Sequence, residues 1–425
     1  MIAGLLATVA TVPLVQASVQ DDYVQEGTLM ASDGEGQSPL AFHDEGDRFG
    51  TGLAIQDDRA LVGAPYADDA DGEDAGAVYM YEHTDRRGWV EAAKIQPAWS
   101  HSGSHFGQDL ALDGDRLVVG APGHVGDDRR GAVFVFERQA SGDWTQQARV
   151  SVATDGSARI GQDVDVDGDT ILVGSRDAYS SSSVHVLEQH ASGVWLEAAH
   201  LDNGADSFGT SFSIDGDTAL VGDSSADVDG QTYAGKAFVY ERTADGWQRA
   251  TELVSPDTDG GTFFGSAVAL HGDTALVGEA GDGEKAPEAG AAHVFTRETA
   301  GWAAQAKLLA EDGNEDEALG TSVALDGDRA VVGAGNPHTR LADRALGPRA
   351  GAGYVFADGE DGWEQRSKLR AADGASTSWQ AAIDDERVLV GEPGKNNANG
   401  FEAGSAYVFA PAKAVACAGL GGGSP

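Results

Sequence analysis

The strongest constraint on the fold is an internal repeat that occurs seven times along the 425 residues. Two copies show its form: FGTGLAIQDDRALVGAP begins at Phe49, and LGTSVALDGDRAVVGAG begins at Leu319. Self-similarity at a period of about 50 residues is typical of repeat architectures, in which each copy is one supersecondary unit. One glycine near the end of the pattern fixes the register of the copies: Gly63, Gly120, Gly174, Gly222, Gly278, Gly333 and Gly391.

Each copy predicts four short antiparallel strands. The first strand alternates small and large residues and ends at a tight-turn signal such as Asp113-Gly114-Asp115. The second strand is the apolar run that contains the register glycine, and a variable loop leads from it to the third strand. The fourth strand begins near a tryptophan in six copies. Seven such units predict an all-β fold, a seven-bladed β-propeller of four-stranded antiparallel blades.

The two ends of the chain predict how the ring closes. The seventh copy has no fourth strand, whereas YVQEGTLMASDG from Tyr23 matches WAAQAKLLAEDG from Trp302 position by position. We therefore expect the N-terminal strand to complete the last blade, in one domain over residues 18–411. Residues 1–17 read as a secretory signal peptide, since an apolar stretch precedes Val15-Gln16-Ala17. Residues 412–425 read as a flexible tail that carries the unpaired Cys417.

Charge and cysteine content exclude several functions. The net charge is −41, so phosphate backbones and anionic membranes would be repelled, and nucleic acid is not an expected partner. Excess acid with few lysines is the surface expected of a protein that works in high salt, where screening weakens the repulsion. With one cysteine, no internal disulfide can form. The expected location is secreted or cell-surface, with no membrane insertion after signal cleavage and a monomeric state.

The repeat resembles the FG-GAP repeat, the blade unit of the integrin alpha-subunit head and of many exported microbial proteins. Phe-Gly pairs such as Phe49-Gly50 and the Gly63-Ala64-Pro65 triplet carry the resemblance. It implies a seven-bladed propeller and a role in binding or adhesion. Calcium-binding members have a longer acidic cage where this chain has only an Asp-Gly-Asp turn. Calcium is therefore not expected at those turns, whose aspartates we interpret as turn formers or as a salt-adapted surface.

Metal-site candidates lie in the loops between second and third strands. Asp69-x-Asp71-Gly72 and Asp227-x-Asp229-Gly230 have the core of a cation loop, but both lack the terminal acidic ligand. Calcium binding there and simple solvation are the two interpretations, and no cofactor is expected to be required. Three histidines around the second blade offer the same choice between a metal site and solvation: His101, His105 and His124.

A second acidic group is predicted near the propeller axis. Asp163 and Asp165 stand in the first strand of the third blade where other copies have serine or alanine, and Asp109 has the same offset next door. They are candidates for a cation in the central channel or for charges in a water-filled one. The chain has no HExxH, GxSxG, P-loop or CxxC motif, so we expect it not to be an enzyme.

One loop departs from the acidic composition. The segment 336–349 carries Arg340, Arg344 and Arg349, which would attract an anion or an acidic partner, or pair with neighbouring acids. With the acidic loop from Asp68 to Asp74, these arginines are predicted to border the partner site. The predicted function is thus a binding or adhesion module for a protein or a cell-surface glycan. A lectin is the alternative, and an enzyme with an axial acidic site is the third.

Overall fold

The computed structural model describes residues 23–35, 46–69, 72–98, 101–123, 130–152, 159–176, 182–205, 207–335, 351–372 and 380–412. Within these ranges the chain forms seven four-stranded antiparallel sheets arranged as a β-propeller. The sequence prediction of fold class is confirmed. The segments 1–17 and 413–425, which carry the predicted signal peptide and nearly all of the predicted tail, lie outside the described residues.

Blades are numbered 1 to 7 along the chain, and a junction is named by the two blades that it joins. Blades 1 to 3 contain β2 (Leu53–Gln56), β3 (Arg59–Ala64), β4 (Ala77–Thr84) and β5 (Gly88–Ile95); β6 (Leu110–Asp113), β7 (Arg116–Ala121), β8 (Ala132–Arg138) and β9 (Trp144–Val150); β10 (Arg159–Asp167), β11 (Thr170–Arg176), β12 (Ser182–Gln189) and β13 (Trp195–Leu201).

Blades 4 to 7 follow the same order, and the last blade includes the N-terminal strand β1. They contain β14 (Phe208–Asp215), β15 (Thr218–Asp223), β16 (Lys236–Thr243) and β17 (Gly246–Leu253); β18 (Phe264–His271), β19 (Thr274–Glu279), β20 (Ala291–Glu298) and β21 (Gly301–Leu308); β22 (Leu319–Asp326), β23 (Arg329–Ala334), β24 (Ala352–Gly359) and β25 (Gly362–Leu369); β26 (Gln380–Asp384), β27 (Arg387–Glu392), β28 (Ser405–Pro411) and β1 (Tyr23–Leu29).

The N-terminal strand closes the ring, as the sequence predicts. Strand β1 pairs antiparallel with β28, in a register that runs from Tyr23 opposite Pro411 to Leu29 opposite Ala406. Leu29 is 1% exposed and belongs to the hydrophobic layer between blades 7 and 1. The unpaired edge that blade 7 would otherwise present is thereby covered.

Hydrophobic layers between neighbouring blades make up the core. Phe49, at the start of blade 1, is 1% exposed and packs edge-to-face against Tyr79, with ring centroids 5.6 Å apart. The same layer includes Leu389 and Val408 from blade 7. Because the layers repeat around the ring, the core consists of successive inter-blade layers, and each blade is stabilised by its two neighbours.

Two glycines of the repeat let adjacent blades approach backbone to backbone. A β-carbon on the register glycine Gly63 would lie 2.0 Å from the carbonyl oxygen of Gly107 in blade 2. The glycine before the third strand is equally confined, since a β-carbon on Gly76 would lie 2.2 Å from the oxygen of Phe106. No side chain fits at these distances, so the repeat requires glycine there.

No helix within the described ranges is both long enough and apolar enough to cross a bilayer.

Candidate functional site

The two faces of the propeller differ in construction. One face, here the turn face, carries the two-residue turns between first and second strands, such as Gly216-Asp217 between β14 and β15. The opposite face, here the loop face, carries the longer loops between second and third strands and the connections from one blade to the next. Only the loop face varies much in length and chemistry from copy to copy.

Aspartates on the turn face join neighbouring blades, a role beyond the turn formation or salt-adapted surface that the sequence predicts. The carboxylate of Asp215 in blade 4 accepts a hydrogen bond of 2.7 Å from the backbone N–H of Gly272 in the next turn. Because the acceptor is ionised, each such bond is stronger than a neutral one. Equivalent bonds run from Asp57 N to Asp384, Gly168 N to Asp113, Gly216 N to Asp167, and Asp385 N to Asp326.

Two junctions of the described chain have another residue in place of this aspartate, and only one of the two replacements contacts the next blade through a polar atom. Gln56 takes its place at junction 1–2, where its buried Oε1 has no hydrogen-bond partner among the described residues. At junction 5–6 the residue is His271, whose Nδ1 lies 3.4 Å from Oδ1 of Asp326. The turn face is thus occupied by contacts that hold the ring together.

On the loop face, the loops of blades 1, 4 and 7 are closed by equivalent backbone hydrogen bonds between described residues, from Gly76 to Ala67, Gly235 to Ala226 and Gly404 to Lys395. In blade 1 the Asp74 N–H donates to the Asp68 carboxylate at 2.9 Å. In blade 4 the Tyr233 N–H donates to the Asp227 carboxylate at 3.2 Å. Asp227 therefore corresponds to Asp68, and each carboxylate binds the backbone of its own loop.

A pair of side chains is presented at four junctions on the same backbone frame, and we call it a display pair. The first member lies two residues before the glycine that precedes the third strand, as Asp74 does before Gly76. The second member lies in the next blade, directly before its Phe-Gly position, as His105 does before Phe106. All eight residues have φ between 51° and 56°, and the second member's N–H donates to the first member's carbonyl at 3.0–3.2 Å. The pairs are Asp74 with His105, Tyr233 with Phe263, Glu288 with Ala318, and Glu402 with Arg48.

A left-handed backbone conformation raises the free energy of any residue other than glycine, and none of these eight residues is a glycine. Such a conformation costs on the order of 1–3 kcal/mol per residue and persists only where the surroundings impose it. Here the backbone is constant while the side chains change from acid with imidazole to two aromatic rings. The display pairs therefore vary the chemistry of the loop face without changing its shape.

Tyr233 and Phe263 form the most exposed aromatic group of the loop face. Their rings lie 6.2 Å apart, and the two residues are 55% and 41% exposed. Around the ring, Tyr66 stacks near His105 at 4.7 Å and receives the Arg48 guanidinium at 4.9 Å. Exposed aromatic residues on a rigid frame are typical anchors of protein interfaces.

Carboxylates at the axis link adjacent first strands. Asp109 accepts from the Val164 N–H and Asp165 from the Ile214 N–H, both at 2.8 Å. Burial raises the pKa of Asp163 to about 7 and that of Asp165 to about 6. The pKa of Asp109 is also raised well above its usual value by burial and then by the Asp163 charge. Asp109 and Asp163 border a cavity of about 400 Å³ at the channel mouth, whose lining also includes hydroxyls such as Ser211.

Blade 3 contains a buried polar chain that the sequence analysis missed. The Ser175 hydroxyl lies 2.9 Å from Nε2 of His185, whose Nδ1 lies 2.8 Å from the Glu197 carboxylate. The order of groups is that of a Ser–His–acid triad, but Ser175 is 6% exposed and its oxygen also meets the Ser183 hydroxyl at 2.9 Å. We interpret it as a hydrogen-bonded replacement for aromatic packing, since most other blades have an aromatic ring such as Phe134 at the histidine position, although blade 5 has His293 there.

The predicted site residues fall in different parts of the ring. Asp68, Asp69 and Asp74 lie on the loop face of blade 1, whereas Asp227 and Asp229 lie in blade 4, so the two loops do not form one site. Asp69 accepts from the N–H of Gly72 at 2.9 Å. Within the described ranges, no group of three or more histidine, cysteine or acidic side chains is placed to hold a metal ion. Four of the predicted site residues lie outside the described ranges: Asp71, Arg340, Arg344 and Arg349. His124 also lies outside them.

Comparison with known proteins supports the repeat assignment. The model of a family described as FG-GAP repeat matches residues 23–81, 89–136, 247–295, 302–356 and 363–409. A search of curated proteins finds no match to the chain. Among solved structures, a chain of "Crystal Structure of Mitotic Checkpoint Complex" is similar at 11% identity and a TM-score of 0.54, with 96% of this chain and 99% of that one covered. At that identity, the similarity concerns the fold alone.

Proposed function

Because the chain belongs to the FG-GAP repeat family, we propose that it is an exported or cell-surface binding module that holds a protein partner on its loop face. The observation that carries the proposal is the set of display pairs. A constant left-handed frame recurs at four junctions with side chains of different chemistry, and all of them except the buried Ala318 are at least partly exposed. A frame that is costly to form, with variable residues on it, is what a recognition surface requires.

The aromatic pair is the proposed centre of the partner contact. Tyr233 and Phe263 offer a large apolar area with little rotamer entropy to lose, because each side chain has only two torsion angles, and the hydrogen bond between them already fixes their backbone. Phe401, 38% exposed beside Glu402, gives a second aromatic anchor across the ring. An acidic surface around such anchors favours a partner that is neutral or basic, since long-range repulsion slows the approach of an acidic one.

The proposal is tested with the double variant Y233S/F263S of the full mature chain. Labelled protein is bound to the surface of cells of its own source and to a glycan array, each with and without EDTA. We expect the variant to bind cells at least about tenfold more weakly, since loss of an interface anchor costs about 2 kcal/mol or more. The matched control is V194S/L196S on blade 3, which removes side chains of similar exposure, 54% and 53%, away from the loop face.

The lectin alternative remains a distinct outcome of the same experiment. Two adjacent rings also fit the apolar face of a sugar, so binding on the glycan array that depends on Tyr233 and Phe263 would favour it. Equal binding by Y233S/F263S and the wild-type chain would refute the loop-face proposal. So would a loss of binding that is equally large in V194S/L196S.

We propose that the module acts as a monomer, without a catalytic cycle and without a required cofactor. In this proposal calcium, if it binds, does so in the acidic loops and only supports their shape. Binding that survives EDTA and a monomeric mass in light scattering are the expected results. A metal-dependent partner contact would contradict the cofactor part of the proposal while leaving the contact residues in place.

A further inference from the structure

Junction 3–4 departs from the close packing found at five other junctions of the described chain. Five register glycines lie so near the next blade that a β-carbon would come within 2.0–2.2 Å of a backbone oxygen: Gly63, Gly120, Gly222, Gly278 and Gly391. At Gly174 the nearest atom to such a β-carbon is instead on the Phe212 ring, 3.1 Å away. A β-carbon on Gly209 would meet the Val184 side chain, at 2.5 Å, whereas on the equivalent Gly161 and Gly265 it would meet a backbone oxygen at the start of the third strand. Blade 4 is therefore displaced along blade 3.

A serine explains the displacement. The strand register places Ser182 where the other blades have the glycine before the third strand, such as Gly131 and Gly235. A β-carbon at Gly235 would lie 1.9 Å from the Phe264 oxygen, so a serine cannot occupy a junction packed in that way. The family match also omits residues 137–246, the segment that contains this junction.

The displaced blades leave a cavity of about 320 Å³ between them. Its polar lining consists mainly of Gln162, Asp163, Arg176, Ser182 and Thr210. Arg176 is exposed, whereas Ser182 is 2% exposed, so the cavity leads from the loop face into the junction. Asp163 and Thr210 also line the channel-mouth cavity, so the two spaces meet.

The lining carries opposite charges that are not joined to each other. Arg176 and Asp163 interact electrostatically, but no ion pair within 4.0 Å links them among the described residues. Asp109 and Ser211 hold the position of Asp163 in blades 2 and 4, and each accepts a hydrogen bond from a backbone N–H of the next blade, that of Val164 or Val268. Among the described residues, Asp163 has no such bond. A guanidinium and a carboxylate therefore face one polar space with room between them.

We propose that this cavity binds a small zwitterion of the α-amino acid class. The ligand carboxylate meets the planar guanidinium of Arg176, which is suited to a two-bond contact with a carboxylate. The ligand ammonium meets Asp163, and the Thr210 hydroxyl with the Gln162 amide binds the remaining polar atoms. A simple anion would leave Asp163 unmatched and a simple cation would leave Arg176 unmatched. This site is separate from the proposed partner contact.

Binding is measured by calorimetry on the full chain at fixed ionic strength. The probes are L-serine, L-glutamine and L-phenylalanine, three α-amino acids of increasing size. For serine the analogues 3-hydroxypropionate and ethanolamine each lack one charged group. We expect at least one amino acid to bind, and each serine analogue to bind at least about tenfold more weakly than serine, because each loses a charge-assisted contact.

Three variants locate the site. R176Q should weaken amino acid binding at least about tenfold, whereas R159Q, at the paired position of β10 outside the cavity lining, should stay within about twofold. S182G should let the junction close, so that binding is lost while the melting temperature is maintained or raised. The proposal is overturned if none of the three amino acids binds, if 3-hydroxypropionate binds as well as serine, or if R176Q and S182G bind like the wild-type chain.

Discussion

The contribution of strand β1 to the ring can be worked out from its contacts. Tyr23 and Leu29 are 9% and 1% exposed, and burying two such side chains stabilises the fold by about 2–3 kcal/mol each. The ladder with β28 adds backbone hydrogen bonds worth about 1 kcal/mol each in net terms. Removal of residues 1–31 should therefore lower the free energy of unfolding by about 5–10 kcal/mol, comparable with the whole stability of a domain.

Glu26 makes β1 more than a covering strand. Its carboxylate accepts from the Trp89 indole at 3.1 Å and lies 3.3 Å from the Arg387 guanidinium and 3.4 Å from the His83 ring. The strand thus joins blade 7 to blade 1. Deleting it should loosen junction 7–1 as well as expose the edge of blade 7.

The assay is thermal and urea unfolding of a chain that begins at residue 32, followed by circular dichroism. Addition of a synthetic peptide of residues 23–33 should restore part of the stability, because the strand has no covalent link to β28. Within the full chain, L29S should cost about 3 kcal/mol, whereas V24S, at a 36% exposed position of the same strand, should stay within about 0.5 kcal/mol. A truncated chain that melts like the full one, or a V24S as damaging as L29S, would refute the closure argument.

Three further predictions concern charge. D215A should destabilise the chain by about 1 kcal/mol in urea unfolding, because the bond to Gly272 is lost, whereas D217A at a 76% exposed position of the same turn should stay within about 0.5 kcal/mol. The pKa of Asp163 is raised from about 3.9 in the unfolded chain to about 7 in the folded one, so its protonated carboxyl stabilises the fold fully below pH 3.9 and loses this effect as the pH rises to about 7. D163N, which is neutral at every pH, should therefore melt higher than the wild-type chain at pH 7.5 but not at pH 4. The melting temperature should rise between 0.1 and 2 M potassium chloride, and a flat response would contradict the high-salt interpretation of the −41 charge.

Blade number, strand order and ring closure could be predicted because they depend on sequence patterns that recur from copy to copy. The register glycines fix the blades, and the match between Tyr23 and Trp302 identifies the closing strand. The inter-blade bond of Asp215 could not be predicted in the same way, because its donor Gly272 lies 57 residues away and is defined only by the packing of blades. Asp-Gly-Asp correctly predicts a tight turn, but the sequence does not show that the first aspartate also accepts a hydrogen bond from the next blade.

The display pairs were missed for a related reason. Left-handed backbone is expected at glycine, and nothing in the local sequence of Tyr233 or Phe263 indicates it. A signal does exist in the comparison of copies, since residues that vary from copy to copy lie at fixed offsets from the glycine before the third strand and from the Phe-Gly position. Ser182 gives the same kind of signal, because a serine at a glycine position of the repeat indicates a junction that cannot pack like the others.

The hydrogen bonds between blades on the turn face also decide which face is available to a partner. A charge reversal at Asp113 or Asp215 would break a bond between blades, so a loss of binding in such a variant would report damage to the ring rather than a contact. A partner that bound the turn face would have to compete for the same carboxylates. On the loop face, the Tyr233 and Phe263 side chains can change without loss of the backbone bond that positions them, because that bond joins an N–H to a carbonyl. Recognition can therefore vary at the display pairs while the turn face, where substitutions disturb the fold itself, stays constant.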